Sequence, residues 1–171
     1  MENNYGNGLY QTPDVTIHPW AEEDFQLLKR MNTEKMWASL GGPETDLGVI
    51  TRHQRYLNDG KVHMFTIKFG SESIGSVGYW ERQWKERDVF ETGWKVIPEF
   101  QGRGIATCAM YELFNILRNN VQHAIIYAFP STDNTASNAI CRKLGFSLIG
   151  ETDFEFPKGK WMKSNEWCLE L

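Results

Sequence analysis

A glycine-rich segment, residues 101–106, joins an extended apolar run to a strongly amphipathic helix. The segment reads Gln-Gly-Arg-Gly-Ile-Ala, the run before it covers residues 89–97, and the helix is expected over residues 105–118. Two glycines let the backbone turn tightly and approach a ligand closely. The first helical turn leaves several N–H groups without internal partners, and the helix dipole adds partial positive charge there. The junction therefore predicts a site for an anion such as a pyrophosphate.

Other glycine-rich phosphate loops fit this segment less well. A Walker loop requires Gly, four residues and then Gly-Lys-Ser or Gly-Lys-Thr, a string that the chain lacks. A dinucleotide-binding loop requires a third glycine, and this chain has Thr107 in its place. An ordinary strand-to-helix turn, with glycines that serve packing alone, remains an alternative when the six residues are considered by themselves.

A second motif follows about 30 residues later, over residues 131–146. Asp133 or Asn134 can accept hydrogen bonds from the first turn of a short helix, and Gly145 is typical of its carboxyl-terminal stop. The apolar run before this motif, residues 124–129, is typical of a buried strand. We expect it to lie beside the strand over residues 89–97. Asn134 is therefore expected at the beginning of a second helix.

Together the two motifs resemble the GNAT family of acetyl-CoA-dependent N-acetyltransferases. The resemblance is carried by the Gln-x-x-Gly-x-Ala loop after residues 93–100 (GWKVIPEF), by Asn134-x-x-Ser137, and by residues 143–146 (Lys-Leu-Gly-Phe). It is closest to the subgroup of ribosomal-protein N-terminal and aminoglycoside N-acetyltransferases, because Gly-Gly-Pro at residues 41–43 also looks like that subgroup. Acetyl-CoA is the cofactor that this resemblance implies.

The resemblance covers residues 15–171 and implies a single α+β domain, with residues 1–14 flexible or loosely attached. The expected fold is a central mixed, mostly antiparallel twisted sheet flanked by about four helices. Two central strands, which end near Ile97 and Phe129, would splay apart to form the cofactor cleft. Hydrophobic periodicity and turn residues predict further helices at 21–32 and 46–58, and strands at 15–18, 62–69, 74–84, 147–156 and 166–171.

The resemblance also implies which residues bind the cofactor. The amides of Val96 and Ile97 would face the pantetheine arm, whereas proline at the next position has no N–H to donate. Asn134 could bond a pantetheine amide and Ser137 the phosphate or adenosine end, although simple helix capping explains both residues as well. The pyrophosphate would be held by Gln101, Gly102, Arg103, Gly104, Ile105 and Ala106.

Glu91 is the candidate general base, because it lies on the strand that leads into the cleft. A surface ion pair between Glu91 and Lys95 is an alternative, since strand alternation places both on one face. A bulge near the cleft would change which face points inward. The backbone N–H of Val96 is the candidate oxyanion donor.

Many family members use a tyrosine to protonate the departing thiolate, and here Cys141 occupies the corresponding position. Cys141 is therefore a weak candidate acid, and a buried cysteine more often fills space in a core. Tyr127, on the neighbouring strand, is a weaker substitute.

The acceptor is expected to be a small-molecule amine or a peptide N-terminus. The walls of the acceptor pocket would be residues 41–43, the helix after them and the carboxyl-terminal hairpin. Glu151, Asp153 and Glu155 alternate on one face of a strand and could receive a cationic amine, but a solvated acidic edge explains them equally well.

Composition sets the remaining expectations. The chain has 171 residues and a net charge of -4, which suits one domain and disfavours a nucleic-acid binder. Three widely spaced cysteines and scattered histidines indicate no metal site. No signal peptide or membrane span is apparent, so we expect a cytoplasmic protein and allow for a homodimer. An acyl-CoA-binding sensor without catalysis is the alternative function.

Overall fold

The computed structural model describes residues 14–171. Almost all of the amino-terminal segment that was expected to be flexible therefore lies outside the described residues. The part that is described forms one seven-stranded sheet with five α-helices. The strands are β1 (Val15–Pro19), β2 (Val62–Phe69), β3 (Glu72–Trp84), β4 (Arg87–Val96), β5 (Ile125–Ala128), β6 (Ser147–Glu155) and β7 (Trp161–Glu170); the helices are α1 (Phe25–Arg30), α2 (Glu34–Trp37), α3 (Asp46–Asn58), α4 (Ile105–Asn120) and α5 (Thr135–Lys143).

The strand order in the sheet is β1-β2-β3-β4-β5-β7-β6. Every neighbouring pair is antiparallel except β4 and β5, which run parallel because α4 crosses over between them. The mixed, mostly antiparallel α+β fold expected from the sequence is confirmed. Five α-helices flank the sheet in the described chain, where about four were expected.

The two parallel strands β4 and β5 separate soon after they meet. Their pairing consists of Phe90 with Ile126 and Glu91 with Tyr127. Beyond that point β4 continues to Val96 and β5 to Ala128 without further pairing to each other. The sheet therefore opens into a V between these strands, as the resemblance implied.

Helices cover both faces of β4. Thr92 donates from Oγ1 to the Gly78 carbonyl and lies 3.8 Å from the Met110 sulfur, so its side chain faces α4. Successive strand residues point to opposite faces, and Lys95 accordingly lies among side chains of α1 and α3. Helix α4 packs through two adjacent rows of buried residues, each with a spacing of four: Ala109, Leu113 and Leu117 in one row, Met110 and Phe114 in the other.

The largest differences from the predicted elements concern one helix and one strand. The helix expected at 21–32 is a 3-10 turn, Glu22–Asp24, followed by α1, and the separate helix α2 was missed. Strand β7 starts at Trp161 rather than at residue 166, because Glu155 pairs directly with Trp161 in the β6–β7 hairpin. None of the described helices has the length and apolarity needed to cross a membrane.

Candidate active site

The amino-terminal end of α4 is an open ring of backbone amides. Gly104 is the N-cap with φ +76°, and a Cβ added there would meet no atom within 4 Å. The first intrahelical bond runs from the Cys108 N–H to the Gly104 carbonyl, so the N–H groups of Ile105, Ala106 and Thr107 precede the helical ladder. Among the described residues, no side chain caps this end. The geometry suits an anion that is held by main-chain N–H groups.

Two side chains from the loop brace this helix end. The Gln101 amide donates from Nε2 to the Val96 carbonyl at 2.7 Å and so ties the loop to the end of β4. Arg103 donates from Nη2 to the Glu99 carbonyl at 3.0 Å, with its guanidinium 5.1 Å from the centre of the Phe100 ring. Arg103 thus carries its positive charge against residues 99 and 100 of the loop that leads into α4.

The end of β4 offers one amide of the predicted pair to the cleft. The Ile97 N–H donates to the Ile74 carbonyl at 2.9 Å, so it faces β3 rather than the gap between β4 and β5. Because that bond makes Val96 and Gly75 a non-hydrogen-bonded pair, the Val96 N–H points away from β3 and into the cleft. The Ile97 amide was expected to face the pantetheine arm, and this register shows that it does not. The Val96 N–H has the orientation that an oxyanion donor requires.

Asn134 caps α5, as the capping interpretation of this residue anticipated. Its Oδ1 accepts from the Ser137 N–H at 3.1 Å. The capping bond uses the carbonyl end of the Asn134 amide, and Ser137 contributes its main-chain N–H. The Asn134 Nδ2 and the Ser137 hydroxyl are the groups that stay available for a cofactor.

Asn138 is a site residue that the sequence reasoning missed. It is buried, and its Nδ2 donates to the carbonyls of Ser131 and Asn134 at 2.9 and 2.8 Å. Its Oδ1 accepts from Asn165 and Trp167 of β7, both at 2.8 Å. Asn138 therefore fixes the beginning of α5 against the sheet, and its position four residues after the N-cap was the only local signal.

Glu91 is buried where β4 and β5 part. Arg82 donates from Nη1 to its Oε2 at 2.5 Å. Burial raises the pKa of Glu91 above its usual value, and the nearby Arg82 charge opposes that rise. The alternative of a surface pair between Glu91 and Lys95 is wrong, because Glu91 pairs with Arg82 and both carboxylate and ammonium are buried. The β3–β4 register shows no bulge that would change the face.

Aromatic rings hold Arg82 in position. Its guanidinium lies 5.3 Å from the ring centres of Trp84 and Phe129 and 4.7 Å from that of Phe154. These rings come from β3, the end of β5 and β6, so the orientation of Glu91 depends on three strands. The sequence alone does not reveal that arrangement.

Cys141 lies in the core with none of its surface exposed. Burial raises the pKa of its thiol to about 12. This is the environment of a space-filling residue, which favours the core interpretation over the acid. Tyr127 stacks on Phe129, and burial raises the pKa of its hydroxyl to about 12 as well.

The expected acceptor walls lie against one another. Trp37 of α2 stacks on Phe156 with 6.3 Å between ring centres, and Arg52 of α3 lies 5.0 and 5.6 Å from those two rings. Lys160, in the β6–β7 turn, donates from Nζ to the Gly41 carbonyl at 2.9 Å. Segments about 120 residues apart in sequence thus form one surface beside the cleft.

A small buried cluster lies beneath that surface. Arg52 donates from Nε and Nη2 to both carboxylate oxygens of Glu44, at 2.7 and 2.6 Å. The Nζ of Lys95 lies 3.3 Å from the centre of the Trp37 ring. Burial, aided by Arg52, lowers the pKa of Lys95 to about 7. These groups line a cavity of about 20 Å³.

The acidic stripe on β6 is a solvated edge. Glu151, Asp153 and Glu155 are all exposed on the outermost strand of the sheet. Asp153 pairs with exposed Lys163 at 2.8 Å, and Glu155 accepts from the Gly159 N–H at 2.8 Å. Nothing in this arrangement singles out a site for a cationic amine.

Comparison with known proteins agrees with this geometry. The profile of the GNAT acetyltransferase domain matches residues 14–147, whereas no curated protein matches the chain. A ribosomal-protein-alanine N-acetyltransferase from Brucella melitensis superposes with a TM-score of 0.74 at 24% identity, covering 91% of this chain and 99% of the other. An aminoglycoside acetyltransferase in complex with coenzyme A gives 0.73 at 19%, with 91% and 94% covered. A spermidine N-acetyltransferase from Vibrio cholerae, in complex with CoA and spermine, gives 0.74 at 18%, with 92% and 95% covered.

Proposed function

The chain belongs to the GNAT family of acetyl-CoA-dependent N-acetyltransferases, and we propose that the end of α4 holds the pyrophosphate of its cofactor. The observation that carries this proposal is the open ring of amides at Ile105, Ala106 and Thr107. Gly102 and Gly104 have positive φ and free space in front of them, so a phosphate can approach the main chain. Gln101 and Arg103 complete the site by bracing the loop and adding charge.

The gap between β4 and β5 suits the rest of the cofactor. A pantetheine arm that extends from the end of α4 into this gap passes the Val96 N–H, which faces it. The Asn134 amide nitrogen and the Ser137 hydroxyl flank the same gap from α5. Acetyl-CoA supplies the thioester carbonyl that an amine attacks.

The chain's own groups have three tasks in this reaction. The Val96 N–H stabilises the negative charge that develops on the carbonyl oxygen as the C–N bond forms. Glu91 accepts the amine proton through water, because its carboxylate is buried at the apex of the V. Its raised pKa brings it nearer to that of the amine. Water protonates the departing thiolate, since Cys141 is enclosed in the core.

The acceptor we propose is a primary amine with a modest pKa, as at a peptide N-terminus. For an α-amino group near pKa 8, the neutral form costs about 1.4 kcal/mol at pH 7, against about 4.6 kcal/mol for a lysine-like amine. A base that works through water suffices for the α-amino group but is poorly suited to the lysine-like amine. Small-molecule amines remain in the proposal, as do assembly as a homodimer and a cytoplasmic location.

A second candidate is an acyl-CoA-binding sensor without catalysis. Two observations favour it. Glu91 forms an ion pair with Arg82, and Cys141 stands where the family resemblance implies a tyrosine that protonates the thiolate. Incubation with acetyl-CoA and a panel of amines and peptides, followed by mass spectrometry, separates the two. If the protein is an enzyme, some amines or peptides of the panel should each gain one acetyl group, and free CoA should appear in equal amount. Tight acetyl-CoA binding with no acetylated product from the whole panel would establish the sensor instead.

A further inference from the structure

Lys95 presents a buried charge that no described residue neutralises. Its Nζ is enclosed and has no hydrogen-bond partner in the described chain. An ammonium that loses water without gaining an acceptor is costly, so a group of this kind needs an explanation. The face of Trp37, 3.3 Å away, provides a cation–π contact but no acceptor.

The neighbouring charges do not supply the missing counter-ion. Glu44 is already engaged by Arg52 through two hydrogen bonds, and its main chain is pinned by Asn32 at 2.9 Å in both directions. Glu44 and Arg52 therefore cancel each other. When Lys95 is protonated, the lining of the cavity carries one uncompensated positive charge.

The location of Lys95 relates this charge to the reaction. Lys95 directly precedes Val96, whose N–H faces the cleft. Thr92 faces α4, whereas Lys95 lies on the other face of β4, beside Trp37 and Arg52 of the surface that the acceptor is proposed to contact. Trp37 and Phe156 form the outer wall on that side.

We propose that Lys95 binds a carboxylate of the acceptor, so that the preferred substrates are primary amines which also carry an anionic group. The inference rests on the proposed function and narrows its substrate class. Arg52 is held by Glu44, so Lys95 is the charged group of the cavity lining that is left to bind the carboxylate. The cavity of about 20 Å³ has room for one water-sized group, such as a single carboxylate oxygen. A larger part of the acceptor requires the Trp37 side chain, which lines the cavity, to move.

Protonation agrees with this assignment. The pKa of Lys95 is about 7 in the protein without ligand, which leaves the ammonium partly neutral near pH 7. A bound carboxylate favours the charged form, so binding is accompanied by proton uptake.

Matched peptides test the proposal. Three pairs exchange one carboxylate for a carboxamide of the same shape at increasing distance from the amine: serine and serinamide, Asp-Gly-amide and Asn-Gly-amide, Gly-Asp-amide and Gly-Asn-amide. We expect kcat/KM to favour the carboxylate member of at least one pair by about tenfold or more, the range of a charged hydrogen bond. Lys95→Met should bring that ratio close to one, and Lys95→Arg should retain most of it. Lys61→Met, at an exposed lysine of the same chain, is the control and should leave the ratio unchanged.

The outcomes distinguish a failure of this inference from a failure of the proposed acetyltransferase function. Equal kcat/KM within every pair for the unmodified protein would overturn the carboxylate site and leave the acetyltransferase intact. A preference that survives in Lys95→Met would also overturn it. Absence of product from every peptide would end both proposals. The comparison within pairs uses the unmodified protein, so it holds even if Lys95→Met folds poorly.

Discussion

The cofactor side and the acceptor side of the cleft are built in different ways. The proposed cofactor side consists of main-chain groups from one continuous segment, where β4 ends and α4 begins. The acceptor side consists of side chains from α2, α3, β4 and the β6–β7 turn, with contacts such as the one between Lys160 and Gly41. One side is local and left open, whereas the other is assembled over the whole chain and closed by stacked rings.

The difference reflects what each side has to recognise. A pyrophosphate is the same in every reaction of this kind, and backbone amides bind it with little dependence on side-chain identity. An acceptor amine varies, and its recognition requires side chains that are placed individually. Mutations should therefore act on the cofactor side through backbone conformation and on the acceptor side through charge.

The largest effect is expected at Gly104. Gly104→Val places a β-branched residue at φ +76° and fills the space in front of the amides. We expect CoA affinity to fall by at least about 10³-fold, since two or more charged hydrogen bonds are lost. Isothermal calorimetry measures this loss.

Gly145→Val is the matched control for Gly104→Val. Gly145 also has positive φ, at +85°, and free space around its Cβ, but it lies at the end of α5. Both variants should lose about 1–2 kcal/mol of stability through backbone strain. Equal CoA affinity in the two variants would refute the assignment of the α4 end.

The next largest effect is the pH dependence of stability caused by Lys95. Its folded-state pKa of about 7 lies below the ordinary value of 10.5, so the unfolded chain binds more protons between these values. The free energy of unfolding should therefore rise with pH in this window, by about 3 kcal/mol from pH 7 to pH 9.5. The other titratable groups that face this cavity belong to Glu44, Arg52 and Tyr56. They are present both in the unmodified protein and in Lys95→Met, so their contributions cancel when the two proteins are compared.

Urea unfolding at several pH values provides the Lys95 measurement. The difference between the two proteins should follow the titration of Lys95 alone. Parallel stability curves from pH 7 to pH 9.5 would mean that the Lys95 ammonium is solvated, and the acceptor side would then be open rather than closed.

A smaller effect is expected at Glu91. Glu91→Gln should lower kcat/KM about tenfold for an α-amino acceptor, because the neutral amine costs only about 1.4 kcal/mol at pH 7. For a lysine-like amine the loss should be greater. The acid limb of the pH–rate profile should also change, because it loses the ionisation of Glu91, whose pKa is raised, and keeps only that of the amine. Glu81→Gln, an exposed carboxylate on β3, is the control, and an identical profile in both variants removes Glu91 from the mechanism.

The smallest effect separates capping from cofactor binding at Asn134. Asn134→Ala and Thr45→Ala each remove an N-cap, from α5 and α3 respectively, and each should cost about 1 kcal/mol of stability. If the Asn134 amide also contacts pantetheine, only Asn134→Ala weakens CoA binding, by a few fold. Calorimetry on the two variants decides this, and equal affinities would leave Asn134 as a cap alone.

Local signals predicted the parts of the site that depend on neighbouring residues. The bounds of α3 and β2 were obtained from periodicity and turn residues, and α4 begins at Ile105 as the glycine-rich segment indicated. The register of Ile97 was not predictable, because it depends on the pairing of β4 with Ile74 on another strand. The partner of Glu91 was missed for the same reason, since Arg82 comes from across a hairpin.

The sequence by itself determined the family, the start of α4 after the glycine-rich segment and, through the family resemblance, the opening between β4 and β5. The start of α4 follows from short-range patterns, namely the hydrophobic period and glycine before a helix. The tertiary structure alone decided that Lys95 is buried beside Trp37, that Glu91 faces Arg82, and that Asn138 joins α5 to β7. Burial and charge pairing depend on residues far apart in the chain, and a pattern within a segment carries no record of them.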